Sequence, residues 1–470
     1  MNTVERLTSM DAVWLQIDSD THPMQLIQLV VTATPIRRDQ LEKRLQTGLS
    51  GLQRFSQRVL HDTAGTVWES GPVDVAAHLT SVALPPGKPK ETLARLVSTL
   101  ATQALDPDRP LWQFHLVERY LDGSAVIARV HQSLADTIAL TGILRALADP
   151  EPAAASPVGE NMQSGLFDQF YAPLTAAVID SIKLTSAFWA KYWSLLFNPQ
   201  RVFDYACAST ALALEIGKLS ALPDDSRSPF KGPETGVRQA SWSEPIDLSR
   251  VEAIARSHDS TSDAVILSAL AGAIHPHREA KMGSQPPELA LRILMPVNLR
   301  DEDSEDPLGN RCGLIPLELP IGIPSPEDRL RETDRRIRSF MNTYEAQRAV
   351  GLFSLLGQTP RAVRLQSLNL LARKSSALLY RVPGTPEARS LCGARIIEEI
   401  IWSPPPAGLG VTISIVSLEK TCHVGVLADT GALSTPEEIT RRLAGELTLL
   451  APTPAVPPTR NRARRGSRKA

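Results

Sequence analysis

A chain of 470 residues is too long for one hydrophobic core, so two domains are expected; no apolar run approaches the roughly 20 residues that a bilayer-spanning helix needs. Four widely separated cysteines (Cys207, Cys312, Cys392, Cys422) show neither a CxxC pair nor Cys/His ligand spacing, so neither a zinc centre nor a disulfide framework is suggested. The net charge of −1 becomes −7 once the six cations of residues 451–470 are set aside, so the body reads as mildly acidic and the tail as a separate basic appendage.

Residues 1–11 lack the basic-then-apolar order of a signal peptide, and a cytoplasmic, soluble protein is expected, at most peripheral at the inner membrane surface or a lipid droplet. Ser9 caps a first predicted helix. A first strand is predicted over 26–33 and a helix over 41–52. The runs 58–60 and 66–69 read as a hairpin across Asp62-Thr63-Ala64-Gly65. His78, near a strand end, is expected to face solvent. Leu93, Leu96, Val97 and Leu100 share one face of an amphipathic helix over 91–103. Pro107 and Pro110 stop it, and a strand over 112–118 follows.

A turn at Asp122-Gly123 leads into Ala125-Val126-Ile127-Ala128-Arg129-Val130, a strand-like run that delivers His131 to a loop. Gln132, Ser133, Leu134, Ala135 and Asp136 form that loop, and a helix is predicted from Thr137 to about 147. A strand end is rigid, and a helix start offers backbone donors. A histidine held there can move a proton, and the aspartate can fix the turn. Residues 149–160 are rich in Pro and Ala and read as a linker. Ten aromatic residues then fall between Phe167 and Tyr205, with Lys183 and Lys191 interleaved. They read as helices packed on the first domain, with peripheral lipid contact as the alternative.

A second domain is expected from about residue 236. Ile246-Asp247-Leu248-Ser249 caps a helix over 250–257, and Thr261-Ser262-Asp263 caps another running to about 275. Strands are predicted over 292–300, 314–319, 411–416 and 422–428, and helices over 326–343, 350–377 and 436–450. Both halves alternate helix and strand with no short repeat, which argues against a solenoid. The tail 451–470 follows Pro-rich spacers without interleaved aromatics, so it reads as disordered rather than as nucleic-acid binding.

From Leu7 to about residue 450 the chain resembles the bacterial wax ester synthase/diacylglycerol acyltransferase family. The resemblance rests on Leu7-Thr8-Ser9-Met10-Asp11-Ala12-Val13-Trp14-Leu15, Pro23-Met24, Arg109-Pro110-Leu111-Trp112, Met295-Pro296-Val297-Asn298-Leu299-Arg300 and Gly309-Asn310, in that order. It implies an α/β fold of two chloramphenicol-acetyltransferase-like domains, each a mixed sheet flanked by helices, with a tunnel between them. The implied boundaries are 1–150, a linker with aromatic-rich helices over 151–235, and 236–450. The implied activity moves a fatty acyl group from acyl-CoA to diacylglycerol or a long-chain alcohol, with no cofactor and no metal. Laid on this chain, the family signature His-His-x-x-x-Asp-Gly falls on His131 to Thr137, so the catalytic positions are His131, Gln132 and Asp136. Thr137, Ser262, Asp263, Asn310 and Gly384 take the implied substrate-binding positions.

The chain departs from the pattern where chemistry is expected. Gln132 stands at the position of the general base, and a neutral amide has no basic nitrogen. Thr137 replaces the signature glycine. A usual Asn-Asp is Ser262-Asp263, and a usual Ser-Asn before the late glycine is Tyr380-Arg381. Neighbouring side chains on an extended segment point to opposite faces, so His131 is not expected to take the place of Gln132. Two functions follow: an acyltransferase with a weakened or altered site, or a protein that binds acyl-CoA or neutral lipid without turnover.

Overall fold

The computed structural model describes residues 4–451 except 8, 63–64, 135–136, 151–216, 218–219, 222–223, 226–227, 284–288, 299–311, 343–360, 383, 385–386 and 406–407. The aromatic-rich segment and the basic tail therefore lie outside the described residues, as do Asp136 and Asn310.

Two seven-stranded mixed sheets and a small three-stranded sheet carry the fold. In the first large sheet the strands Trp112–Tyr120, Gly123–His131 and Gln25–Thr32 lie side by side and antiparallel. Gly123–His131 is buried along its whole length, as its continuous apolar run requires of a central strand. Gly123 also admits close backbone approach: a Cβ there would sit 1.8 Å from the Thr32 carbonyl oxygen. In the second sheet the core strands are Leu291–Asn298, Ala377–Val382, Val411–Leu418 and Thr421–Asp429, the first three paired in parallel.

The chain crosses between the halves. Strand Ala394–Trp402, late in the sequence, pairs antiparallel with Gln25–Thr32 in the first sheet. Leu391 and Ala394 close a short hairpin that extends this sheet further. Residues 236–450 thus supply strands to both sheets. The crossing strand then packs its other face on the second sheet. Trp402 meets Trp242 edge to face with centroids 5.7 Å apart, and its indole nitrogen donates to the Ser241 carbonyl at 3.3 Å. Gly425 makes room for this contact, since a Cβ there would stand 2.9 Å from Trp402 Nε1 and 2.6 Å from Ser414 Oγ.

Three cores follow from these layers. One lies between the first sheet and the helices Arg38–Leu49 and Thr137–Ala146. A second joins the other face of that sheet to helix Pro89–Thr102 and to Trp242 and Leu427 of the second sheet. The third packs the second sheet on helices Leu248–Ser257, Ser262–Met282, Pro326–Asn342 and Pro436–Leu449.

Three expectations are corrected. His78 does not face solvent: it is buried, in a short 3₁₀ turn, and stacks on Trp112 with centroids 4.3 Å apart. The helix expected through residue 377 ends at Lys374, with Lys231 donating to the terminal carbonyls of Ala372 and Ser375, and Ala377–Val382 is a strand. A short, fully buried apolar run has no periodicity that separates strand from helix. The crossing strand itself was not among the predicted elements. A register shift between Ile396 and Glu398 breaks its alternation, which hides the strand period.

Candidate functional site

The loop after Gly123–His131 is pinned to the strands on both sides. The His131 amide donates to the Leu111 carbonyl and the Gln132 amide to the Met24 carbonyl, each at 2.9 Å. The segments just before strands Trp112–Tyr120 and Gln25–Thr32 therefore fix where these two side chains begin.

His131 and Gln132 then engage separate partners, as alternation on an extended segment dictates. The Ser133 amide donates to His131 Nδ1 at 3.0 Å, and Ser133 Oγ stands 2.7 Å from the same nitrogen. A backbone N–H can only donate, so Nδ1 is the unprotonated nitrogen and the ring proton sits on Nε2. Nε2 has no aligned hydrogen-bond partner; the Asp18 carboxylate lies 3.4 Å away, held by the Met24 amide at 2.6 Å. The one basic nitrogen of His131 is thus occupied by its own loop.

Gln132 faces the crossing strand. Its Nε2 donates to Thr137 Oγ1 at 2.9 Å and to Ser403 Oγ at 2.8 Å, and the two hydroxyl oxygens are 2.9 Å apart. Thr137 opens helix Thr137–Ala146, and Ser403 directly follows strand Ala394–Trp402. All three side chains are at least 95 % buried. The Ser403 carbonyl is fixed by Thr412 Oγ1 at 2.7 Å, so the second sheet helps to place it.

The other expected site residues stand in the second half. Ser262 and Asp263 open helix Ser262–Met282 after the Thr261 cap, and Asp263 pairs with Arg381 at 2.8 Å, both side chains nearly buried. The departure at Arg381 thus has a partner: the added cation meets the retained Asp263 carboxylate at the helix start. Cys422 lies beside this pair, and burial pushes its thiol up to about 12. Gly384 lies against Ser417, where a Cβ would meet Ser417 atoms at 2.9 Å. Asp136 and Asn310 lie outside the described residues.

Arg129, two residues before His131, is a further buried cation. It donates to Gln25 Oε1 at 3.1 Å, to Gln113 Oε1 at 3.0 Å and to the carbonyls of Gln103 and Ala104. Burial lowers it to about 10. Its field and burial together hold His115 low, at about 4, burial being the larger cause. Among the described residues no group of three or more His, Cys, Asp or Glu side chains could hold a metal ion.

Ser403 and Asp18 were not among the residues singled out from the sequence. The run Pro404-Pro405-Pro406 was the available signal for Ser403, because prolines end a strand and leave the residue before them at its tip. Asp18 carries no comparable mark.

Residues 7–266 match the family model of the wax ester synthase/diacylglycerol acyltransferase catalytic domain, and residues 308–451 match the C-terminal domain of the same family. A Mycobacterium tuberculosis protein named as a diacylglycerol O-acyltransferase is 24 % identical over 455 residues, covering 93 % of this chain and 94 % of its own. A Mycobacterium bovis protein of the same designation is 27 % identical over 479 residues, covering 94 % and 90 %. Among solved structures, the wax ester synthase/diacylglycerol acyltransferase from Marinobacter aquaeolei VT8 superposes with a TM-score of 0.63 at 17 % identity, covering 95 % and 98 % of the two chains. The first condensation domain of the CDA synthetase does so with a TM-score of 0.55 at 15 % identity, covering 96 % and 98 %. These likenesses show a common fold across both sheets.

Proposed function

Because the chain belongs to the wax ester synthase/diacylglycerol acyltransferase family, we propose that it binds long-chain acyl-CoA at the Gln132 loop and transfers the acyl group slowly to diacylglycerol or a long-chain alcohol. The observation that carries this reading is the Gln132–Thr137–Ser403 cluster: three buried polar side chains at the base position of the signature, and no basic nitrogen among them. Acyl transfer from a thioester is intrinsically favourable, so holding the two substrates together away from water sustains a reduced rate. Loss of a general base removes on the order of 10²–10⁴-fold. His131 does not supply that base, because its Nδ1 is tied to Ser133 and its Nε2 faces Asp18.

The protein's place in this reading is the surface of a membrane or lipid droplet, where neutral-lipid acceptors are found. No helix among the described residues is long and apolar enough to cross a membrane. The aromatic-rich residues 161–220 are the segment proposed to touch lipid.

Release of free thiol from long-chain acyl-CoA, measured with diacylglycerol and with long-chain alcohols, tests the proposal. A low wild-type rate is expected, rising by about 10²–10⁴-fold in Gln132→His as a base returns. A wild-type rate no higher than that of the His131→Ala, Gln132→Ala double variant would leave the second reading, binding without turnover. That reading is favoured by the same missing base, and it predicts that acyl-CoA raises the melting temperature while no product forms.

A further inference from the structure

The hydrogens around Gln132 can be counted. Its amide nitrogen carries two, and the hydroxyls of Thr137 and Ser403 carry one each. The amide gives both of its hydrogens away, one to each hydroxyl oxygen. The two hydroxyls, 2.9 Å apart, share a single contact, which uses one hydroxyl hydrogen. One hydroxyl hydrogen is left over. Neither Thr137 nor Ser403 offers it a further side-chain partner among the described residues, and both side chains are at least 95 % buried. Buried donors are rarely left unmatched, because the desolvation penalty is not recovered.

We propose that this leftover hydrogen is the recognition element for the carbonyl oxygen of the bound acyl group, which makes Ser403 and Thr137 substrate-binding residues. The argument rests on the acyl-CoA reading above but does not require turnover. A carbonyl oxygen can only accept, which matches the leftover hydroxyl hydrogen. The cluster stands where the signature places the chemistry, between the end of strand Gly123–His131 and the start of helix Thr137–Ala146. Ser403 reaches it only through the crossing strand, so the two sheets assemble the binding point together.

Calorimetric titration of the full chain with palmitoyl-CoA, and with its S-hexadecyl thioether analogue in which a methylene replaces the carbonyl, reads this contact. The wild type is expected to prefer the thioester by about threefold to tenfold, the range of one neutral hydrogen bond. The Thr137→Val, Ser403→Ala double variant is expected to bring the ratio to about one with thioether affinity unchanged, while Thr137→Ser keeps the preference. Melting temperatures of all variants identify any that fail to fold, and Ser403→Cys replaces Ser403→Ala in that event. A ratio that survives loss of both hydroxyls overturns the proposal, as does equal weakening of both ligands. No binding of either ligand to the wild type overturns the acyl-CoA reading with it, whereas binding without preference overturns the carbonyl contact alone.

Discussion

Histidine 115 shows how single side chains tie this fold to pH. Burial, reinforced by Arg129, holds it at about 4 instead of 6.5. The folded state therefore keeps the ring neutral, while the unfolded chain takes up a proton below pH 6.5. Stability from this group is complete above pH 6.5, declines as pH falls, and is gone near pH 4. The difference amounts to on the order of 3 kcal/mol. His22 and His423 are lowered in the same direction, each chiefly by burial. Urea unfolding at pH 7 and pH 4.5 is expected to show a smaller drop for His115→Phe than for the wild type; equal drops would sink the assignment. The sequence shows which residue types stand at the signature, and that was enough to find Gln132 where a base is expected. It does not show what a side chain touches. His78 reads as an exposed histidine until Trp112, 34 positions later, is seen to cover it.

Among the elements, the crossing strand Ala394–Trp402 and helix Thr137–Ala146 form one unit. Arg145 holds Glu399 through both guanidinium faces, Nε at 3.0 Å and Nη2 at 2.9 Å, and Gln28 donates to the same carboxylate at 2.7 Å. Glu399 lies four residues before Ser403, on the same face of the extended segment, so this pair anchors the stretch that leads to Ser403. Breaking a buried pair by removing one partner costs about 3–5 kcal/mol, whereas replacing both by apolar residues costs far less. Arg145→Met and Glu399→Leu are each expected to lower the urea midpoint strongly, and the double variant to recover most of the loss. Additive losses would show that the two residues act independently. The helix was legible from its apolar spacing. The strand was not, because its bulge removes the alternation and because its partner, Gln25–Thr32, lies far away in sequence. Pairing at that distance leaves no local mark.

At the level of the molecule, the two halves cannot be separated at residue 236 without cost. Strand Gln25–Thr32 is almost wholly buried and needs Ala394–Trp402 on its open side. A fragment of residues 1–235 would present that edge as a template for aggregation. It is expected to be insoluble when expressed alone and soluble when residues 236–451 are co-expressed, the two then co-purifying. Independent solubility of residues 1–235 would show that the crossing strand is dispensable. The overall alternation of helix and strand, and hence an α/β fold in each half, was legible in the sequence. The exchange of a strand between halves was not, since composition and local pattern say nothing about which sheet a strand joins.

The same strand has a consequence in time. A ribosome makes Gln25–Thr32 early and Ala394–Trp402 about 360 residues later. At elongation rates of about 5–20 residues per second, the inner strand waits roughly 20–70 s for its neighbour. Throughout that interval the nascent chain carries an open, apolar β edge, and the Gln132 loop lacks Ser403. The site is therefore among the last parts of the protein to exist, completed only after nearly nine-tenths of the chain has been made.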